Sequence, residues 1–71
     1  MNNKKDCVLW VINRNGQKMF YKGRDINGYM LFTPNFDEVP KWCRFTEKQA
    51  EERARLIKGV KVGFDRLGGG V

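Results

Sequence analysis

Cys7-Val8-Leu9-Trp10-Val11-Ile12-Asn13-Arg14-Asn15-Gly16-Gln17-Lys18-Met19-Phe20-Tyr21-Lys22-Gly23 is the stretch that decides the fold. Its first six residues are β-branched, aromatic or otherwise apolar without interruption. That pattern suits a central strand covered on both faces. Asn15-Gly16 is the strongest short-range hairpin signal, because a type I′ turn requires positive φ at both of its central positions. The spacing predicts a return strand over 17–22 that is broken by Gly23.

Working outward, Asn27-Gly28 repeats the turn signal ahead of Tyr29-Met30-Leu31-Phe32-Thr33, which reads as a third strand. Pro34 ends it, since proline cannot donate to a ladder. The segment 35–40 reads as a loop or a single helical turn, with Phe36 and Val39 spaced to tuck inward. Trp42-Cys43-Arg44-Phe45 reads as a brief strand or an extended lead-in to a helix. Thr46 and Gln49 form a capping box in which each side chain satisfies an orphan backbone N–H. Early glutamates, late basic residues and Gly59 complete a helix predicted over about 46–58. Beyond it Val60, Val62 and Phe64 alternate on one face of a last strand, expected to pair with the first.

The expected fold class is therefore α+β: a small antiparallel sheet of three to five strands with one helix packed on one face, in the order β-β-β-(β)-α-β. Residues 1–6 are expected to fray, 7–66 to form the single domain, and 67–71 to be a flexible Gly-rich tail. Seventy-one residues make one domain with a thin core, because a chain of this size buries only about 60% of its unfolded surface. Nine aromatics (five Phe, two Tyr, two Trp) are enough to close that core, each burying roughly 150–250 Å².

The chain has no His and two cysteines, Cys7 and Cys43, with no Cys-x-x-Cys pair. Zinc would need an uncommon ligand set; a single disulfide would form if the segments carrying Cys7 and Cys43 are neighbours, and two free thiols are the simpler reading. No metal or other cofactor is expected. The polar N-terminus leads into an apolar run too short for a signal-peptide core or a membrane span. A cytoplasmic location, with no membrane association, is the expectation.

The net charge of +6 is concentrated. Residues 1–28 hold Lys4, Lys5, Arg14, Lys18, Lys22 and Arg24 against Asp6 and Asp25, whereas 29–45 balance. Basic residues interleaved with Met19, Phe20 and Tyr21 on a sheet face can track a phosphate backbone and stack bases. The opposing reading is that any half-buried strand alternates in this way, and that Lys guards edges. On the helix, Ala50, Ala54 and Ile57 make an apolar stripe that Leu56 and Val60 widen. Arg53 falls inside this arc, either laying its stem along the core edge or anchoring an anion or a partner. The outer helix face neutralises itself through Glu51–Arg55 and Lys48–Glu52 at i, i+4.

Catalysis is the weakest reading. Without His, acid–base work near neutral pH needs a shifted carboxylate or lysine, and no paired carboxylates stand at a useful position. Gly68-Gly69-Gly70 lacks the strand–helix frame of a phosphate loop.

The succession of apolar strand, Asn-Gly turn, Phe20-Tyr21-Lys22-Gly23, Phe32-Thr33, Phe45-Thr46-Glu47-Lys48-Gln49-Ala50-Glu51 and Gly59-Val60-Lys61-Val62 resembles a loose group of small uncharacterised phage and prophage accessory proteins. The likeness spans residues 8–62 in pattern. It implies a compact sheet-plus-helix accessory protein and transfers no functional residue. The expectation is a non-enzymatic binding module, a phage accessory or inhibitor protein that docks on a partner protein. A nucleic-acid binder using the basic first hairpin, and a structural or assembly component, are the alternatives. The candidate contact residues are Arg14, Lys18, Lys22, Arg24, Tyr29 and Arg53.

Overall fold

Two turns built alike set the register of the sheet. In the first, Gly16 N–H donates to the Asn13 carbonyl and Asn13 N–H to the Gln17 carbonyl, both at 2.9 Å. Asn13 Oδ1 accepts from the N–H groups of Asn15 and Gln17, also at 2.9 Å each. In the second, Gly28 N–H donates to the Asp25 carbonyl (3.0 Å) and Asp25 N–H to the Tyr29 carbonyl (2.9 Å). Asp25 Oδ1 there accepts from Asn27 (2.8 Å) and Tyr29 (3.0 Å). Only the glycines take the left-handed conformation, Gly16 at φ +78° and Gly28 at φ +85°. The expected two-residue type I′ turn at Asn15-Gly16 is thus replaced by a three-residue loop. The side-chain oxygen two residues before Asn15 captures two N–H groups, which leaves only the glycine to adopt positive φ.

These turns belong to a computed structural model that describes residues 4–67. Its elements are β1 (Cys7–Ile12), β2 (Lys18–Arg24), β3 (Met30–Thr33), α1 (Glu47–Leu56) and β4 (Lys61–Arg66). The sheet is antiparallel, in the order β3-β2-β1-β4, which is the α+β arrangement expected. Interior placement explains why β1 is apolar throughout: Cys7, Val8 and Leu9 are buried although they point to alternate faces.

Gly23 does not end β2. It sits at φ +125° beside an irregularity in register between Tyr21 and Gly23. This bulge takes β2 off β1. Cys7 exchanges both backbone hydrogen bonds with Phe45 instead, at 2.9 and 2.8 Å. The segment read as a brief strand or lead-in is therefore a 3-10 turn at Lys41–Cys43 followed by one bridge. It packs Cys43 against Gly23, where an added methyl would stand 3.6 Å from Cys43 Sγ.

The capping box forms as expected, with Thr46 Oγ1 accepting from Gln49 N–H (3.2 Å) and Gln49 Oε1 from Thr46 N–H (3.1 Å). The helix ends at Leu56, two residues before the predicted end. Ile57 is already extended (φ −92°, ψ 120°), and Gly59, at φ +86°, serves the bend into β4 rather than the cap. Leaving the helix at Ile57 keeps that side chain half-buried. Leu56 is left 75% exposed and Val60 41%, so neither widens the apolar stripe. Glu47 reaches across to pair with Arg66 of β4, and neither expected i, i+4 pair closes into a salt bridge.

Helix α1 lies over β4 and β1. Ala50, fully buried, and half-buried Ala54 let it approach closely. Phe36 and Val39 do tuck inward, in and just after a 3-10 turn at Phe36–Glu38. The Phe36 ring meets Phe20 edge-on at 5.5 Å, and Glu38 accepts from Thr33 Oγ1 (2.7 Å) and Asn35 Nδ2 (3.1 Å). Asp6, placed by sequence in the frayed N-terminus, is buried, and its carbonyl accepts from Leu67 N–H at 2.6 Å. Leu67 packs against the core. Residues 1–3 and the Gly68–Val71 tail lie outside the described residues.

Candidate binding surface between the helix and the second hairpin

The six candidate contact residues do not form one patch. Lys18 is engaged within the chain: its Nζ stands 2.6 Å from Asp65 Oδ2 and over the rings of Trp10 (4.7 Å) and Phe20 (5.6 Å). Lys22 is half-buried and acts electrostatically on Glu38, whose carboxyl is held below its usual range first by Thr33, then by Asn35, with a smaller contribution from Lys22. Arg14 and Tyr29 are exposed at the two turns. Arg24 Nη1 donates to the Gly28 carbonyl (2.7 Å) and braces the second hairpin. Arg53 is exposed, its guanidinium 5.6 Å from the Phe45 ring. The structure thus brings Arg24 and Arg53 to one cleft and leaves the other four elsewhere.

That cleft follows from the position of the helix. Because α1 lies over β1 and β4, the helix side of β2 and β3 is only partly covered. Aromatic rings fill the gap as a ladder: Phe32 meets Tyr21 edge-on at 6.0 Å, and Tyr21 stacks on Phe45 at 6.0 Å. Arg53 caps the Phe45 end. Between the ladder and the end of α1 remains a cleft of about 110 Å³ with Leu9, Tyr21, Met30 and Ile57 among its walls and, among the described residues, Arg24 and Arg53 as its charged groups.

A second, open depression of about 320 Å³ adjoins it, sharing Phe45 and Arg53 and adding Lys5, Trp42, Arg44, Gln49 and Glu52. Trp42 is 84% exposed. Arg44 Nε is buried without a hydrogen-bond partner, so packing rather than a carboxylate holds this side chain. None of Lys5, Arg24, Arg44 or Arg53 forms an ion pair among the described residues.

Sequence reasoning missed Lys5, Arg44 and Leu56 as surface partners of Arg53. Phe45 carried the available signal, a large aromatic one residue before the helix cap with a cation at the following turns of that helix. Their meeting depends on the Cys7–Phe45 bridge, which no local pattern announces.

Chemically, guanidiniums donate hydrogen bonds and accept none, so the charged groups of the cleft are donors suited to anionic atoms beside an apolar floor. Cys7 and Cys43 are buried free thiols. Burial raises the Cys7 pKa, and the Asp6 carboxylate 3.6 Å away raises it further, while Arg66 opposes both. Burial alone raises that of Cys43. Neither is an activated nucleophile. Among the described residues no group of three or more His, Cys, Asp or Glu side chains is placed to hold a metal ion, and no helix is long and apolar enough to cross a membrane. Compared with protein-family models, curated proteins and solved structures, the chain matches none.

Proposed function

We propose that this protein is a non-enzymatic binding module that docks on a partner protein by seating one of its apolar side chains between α1 and the second hairpin. The size of the cleft carries this reading. Sites for small molecules and cofactors are mostly apolar pockets of about 300–1,000 Å³, whereas the apolar cleft, at about 110 Å³, suits a single side chain and the adjoining 320 Å³ is an open, mostly polar depression. Leu56, exposed at the rim, adds the apolar margin that a docked partner would cover. In the setting implied by the phage and prophage resemblance, such a module is an accessory or inhibitor protein. Two free thiols accord with the cytoplasm, where a reducing environment keeps them so.

Selection from a displayed library of random peptides tests the reading. Enriched peptides are expected to bind the wild type and to lose most of their affinity for Leu56→Glu, a substitution at an exposed site that leaves the fold intact. Peptides that bind both proteins equally would place the docking site elsewhere.

Nucleic-acid binding is the second reading, and Trp42 favours it. An indole 84% exposed beside Lys5, Arg44 and Arg53 resembles a stacking platform with phosphate contacts. It predicts affinity that falls steeply with salt.

A further inference from the structure

Phe45 and Arg53 line both the apolar cleft and the open depression, so the two are one track that bends over the Arg53 guanidinium. Its charge is one-sided. Among the described residues Arg24, Arg53, Arg44 and Lys5 stand along it against the single carboxylate of Glu52, and none of the four cations is in an ion pair there. Two cations outside the track are neutralised, Lys18 by Asp65 and Arg66 by Glu47; the track is set apart by four cations gathered beside an apolar cleft. Arg53 is also held in place, since its guanidinium rests on Phe45 and Phe45 is pinned by two backbone hydrogen bonds to Cys7. A donor fixed before binding loses less freedom on binding.

Resting on the docking reading above, we infer that the occupant is an acidic segment of a partner protein. Its one apolar anchor residue fills the cleft, and its neighbouring carboxylates lie along Arg53 and into the depression formed by Arg44 and Lys5, beside the exposed Trp42. Arg24 and Arg53 flank the anchor and select for carboxylates next to it. A nucleic acid would use the cations and Trp42 but leave the apolar floor of Leu9, Met30 and Ile57 empty, whereas this segment uses both halves of the track.

The test is fluorescence anisotropy of the full chain with labelled probes. The first probe is a short peptide with one leucine followed by three carboxylate residues. The second carries alanine for the leucine, the third carries amides for the carboxylates, and the fourth is an oligothymidylate. The first probe is expected to bind, and the alanine and amide probes each to bind about ten-fold or more weakly. Arg53→Gln is expected to weaken the first probe by a similar factor with an unchanged melting temperature, while Arg14→Gln leaves binding unchanged. Failure of the first probe to bind overturns the inference, as does equal binding of the amide probe. If the amide probe binds in the cleft as tightly, the docking reading survives and only the acidic partner falls. Tight binding of oligothymidylate, with none of the leucine probe, would assign the track to single-stranded nucleic acid and remove both.

Discussion

Lys18 and Arg53 are each a cation resting on aromatic rings, and they end in opposite conditions. Lys18 lies over Trp10 and Phe20, but Asp65 has come in from β4 to pair with it and to accept from Trp10 Nε1 at 3.0 Å. The charge is satisfied and the indole fastened. Arg53 lies over Phe45 with no carboxylate of the described residues paired to it. A basic residue among aromatics is thus not by itself a binding signal. What separates the two is whether a distant strand delivers an acid, and for Lys18 the acid comes from 47 positions away.

The hardest way to break the closed cluster is Gly63→Ala. A methyl at Gly63 would overlap the Trp10 indole at Cζ2, Cη2 and Cε2, so the ring must leave its place and its bond to Asp65. We expect a loss of about 1–3 kcal/mol, read by calorimetry as a fall of several degrees in melting temperature. An unchanged transition would mean that Trp10 is not clamped across β4.

Next is Asp65→Ala, which strands both Lys18 and the indole N–H. The ion pair is partly solvated, with side chains 40% and 44% exposed, and contributes little by itself. The Trp10 hydrogen bond sets the size, so about 1 kcal/mol is expected in urea unfolding. Asp65→Asn should cost less, because the amide oxygen still accepts.

Thr46→Ala acts on the open cluster through the helix that carries Arg53. Losing the side-chain half of the capping box should cost roughly 1 kcal/mol, with fraying visible as faster amide exchange at Gln49. Equal exchange in both proteins would show that packing alone holds the first turn.

Glu38 provides a milder version of the closed case. Hydrogen bonds from Thr33 and Asn35, and the charge of Lys22, lower its folded pKa below the unfolded one. Its contribution is therefore present above the unfolded carboxyl range and lost as pH falls through the folded value. Melting temperature should decline on the acid side, less steeply in Glu38→Gln; identical pH profiles would remove the linkage.

Arg53→Gln has the smallest expected effect on stability, within about 0.5 kcal/mol, because no acid depends on Arg53. If it destabilises as much as Asp65→Ala, the two clusters are alike and Arg53 is a structural residue.

Much of this was legible in the chain. The apolar run of β1, the hairpin strands, the capping box and the alternation of the final strand all rest on neighbours within a few residues. Where the reading slipped, a group outside the pattern being read intervened. Asn13 turned the expected type I′ turn at Asn15-Gly16 into a three-residue loop, and Asp25 built the second turn in the same way. The contact of Phe45 with Cys7 replaced the pairing that β2 gives up at Gly23. The basic first hairpin, attractive as a patch, was divided when Asp65 and Glu38 approached Lys18 and Lys22.

Determined by the sequence alone were the kinds of element and their order, because turns, caps and alternation are decided by short-range sterics and hydrogen bonds. Only the tertiary structure decided which cations stay unpaired. Screening and desolvation depend on which acid arrives within a few ångströms, and in this chain strand β4 brings its carboxylate to Lys18 and none to Arg53.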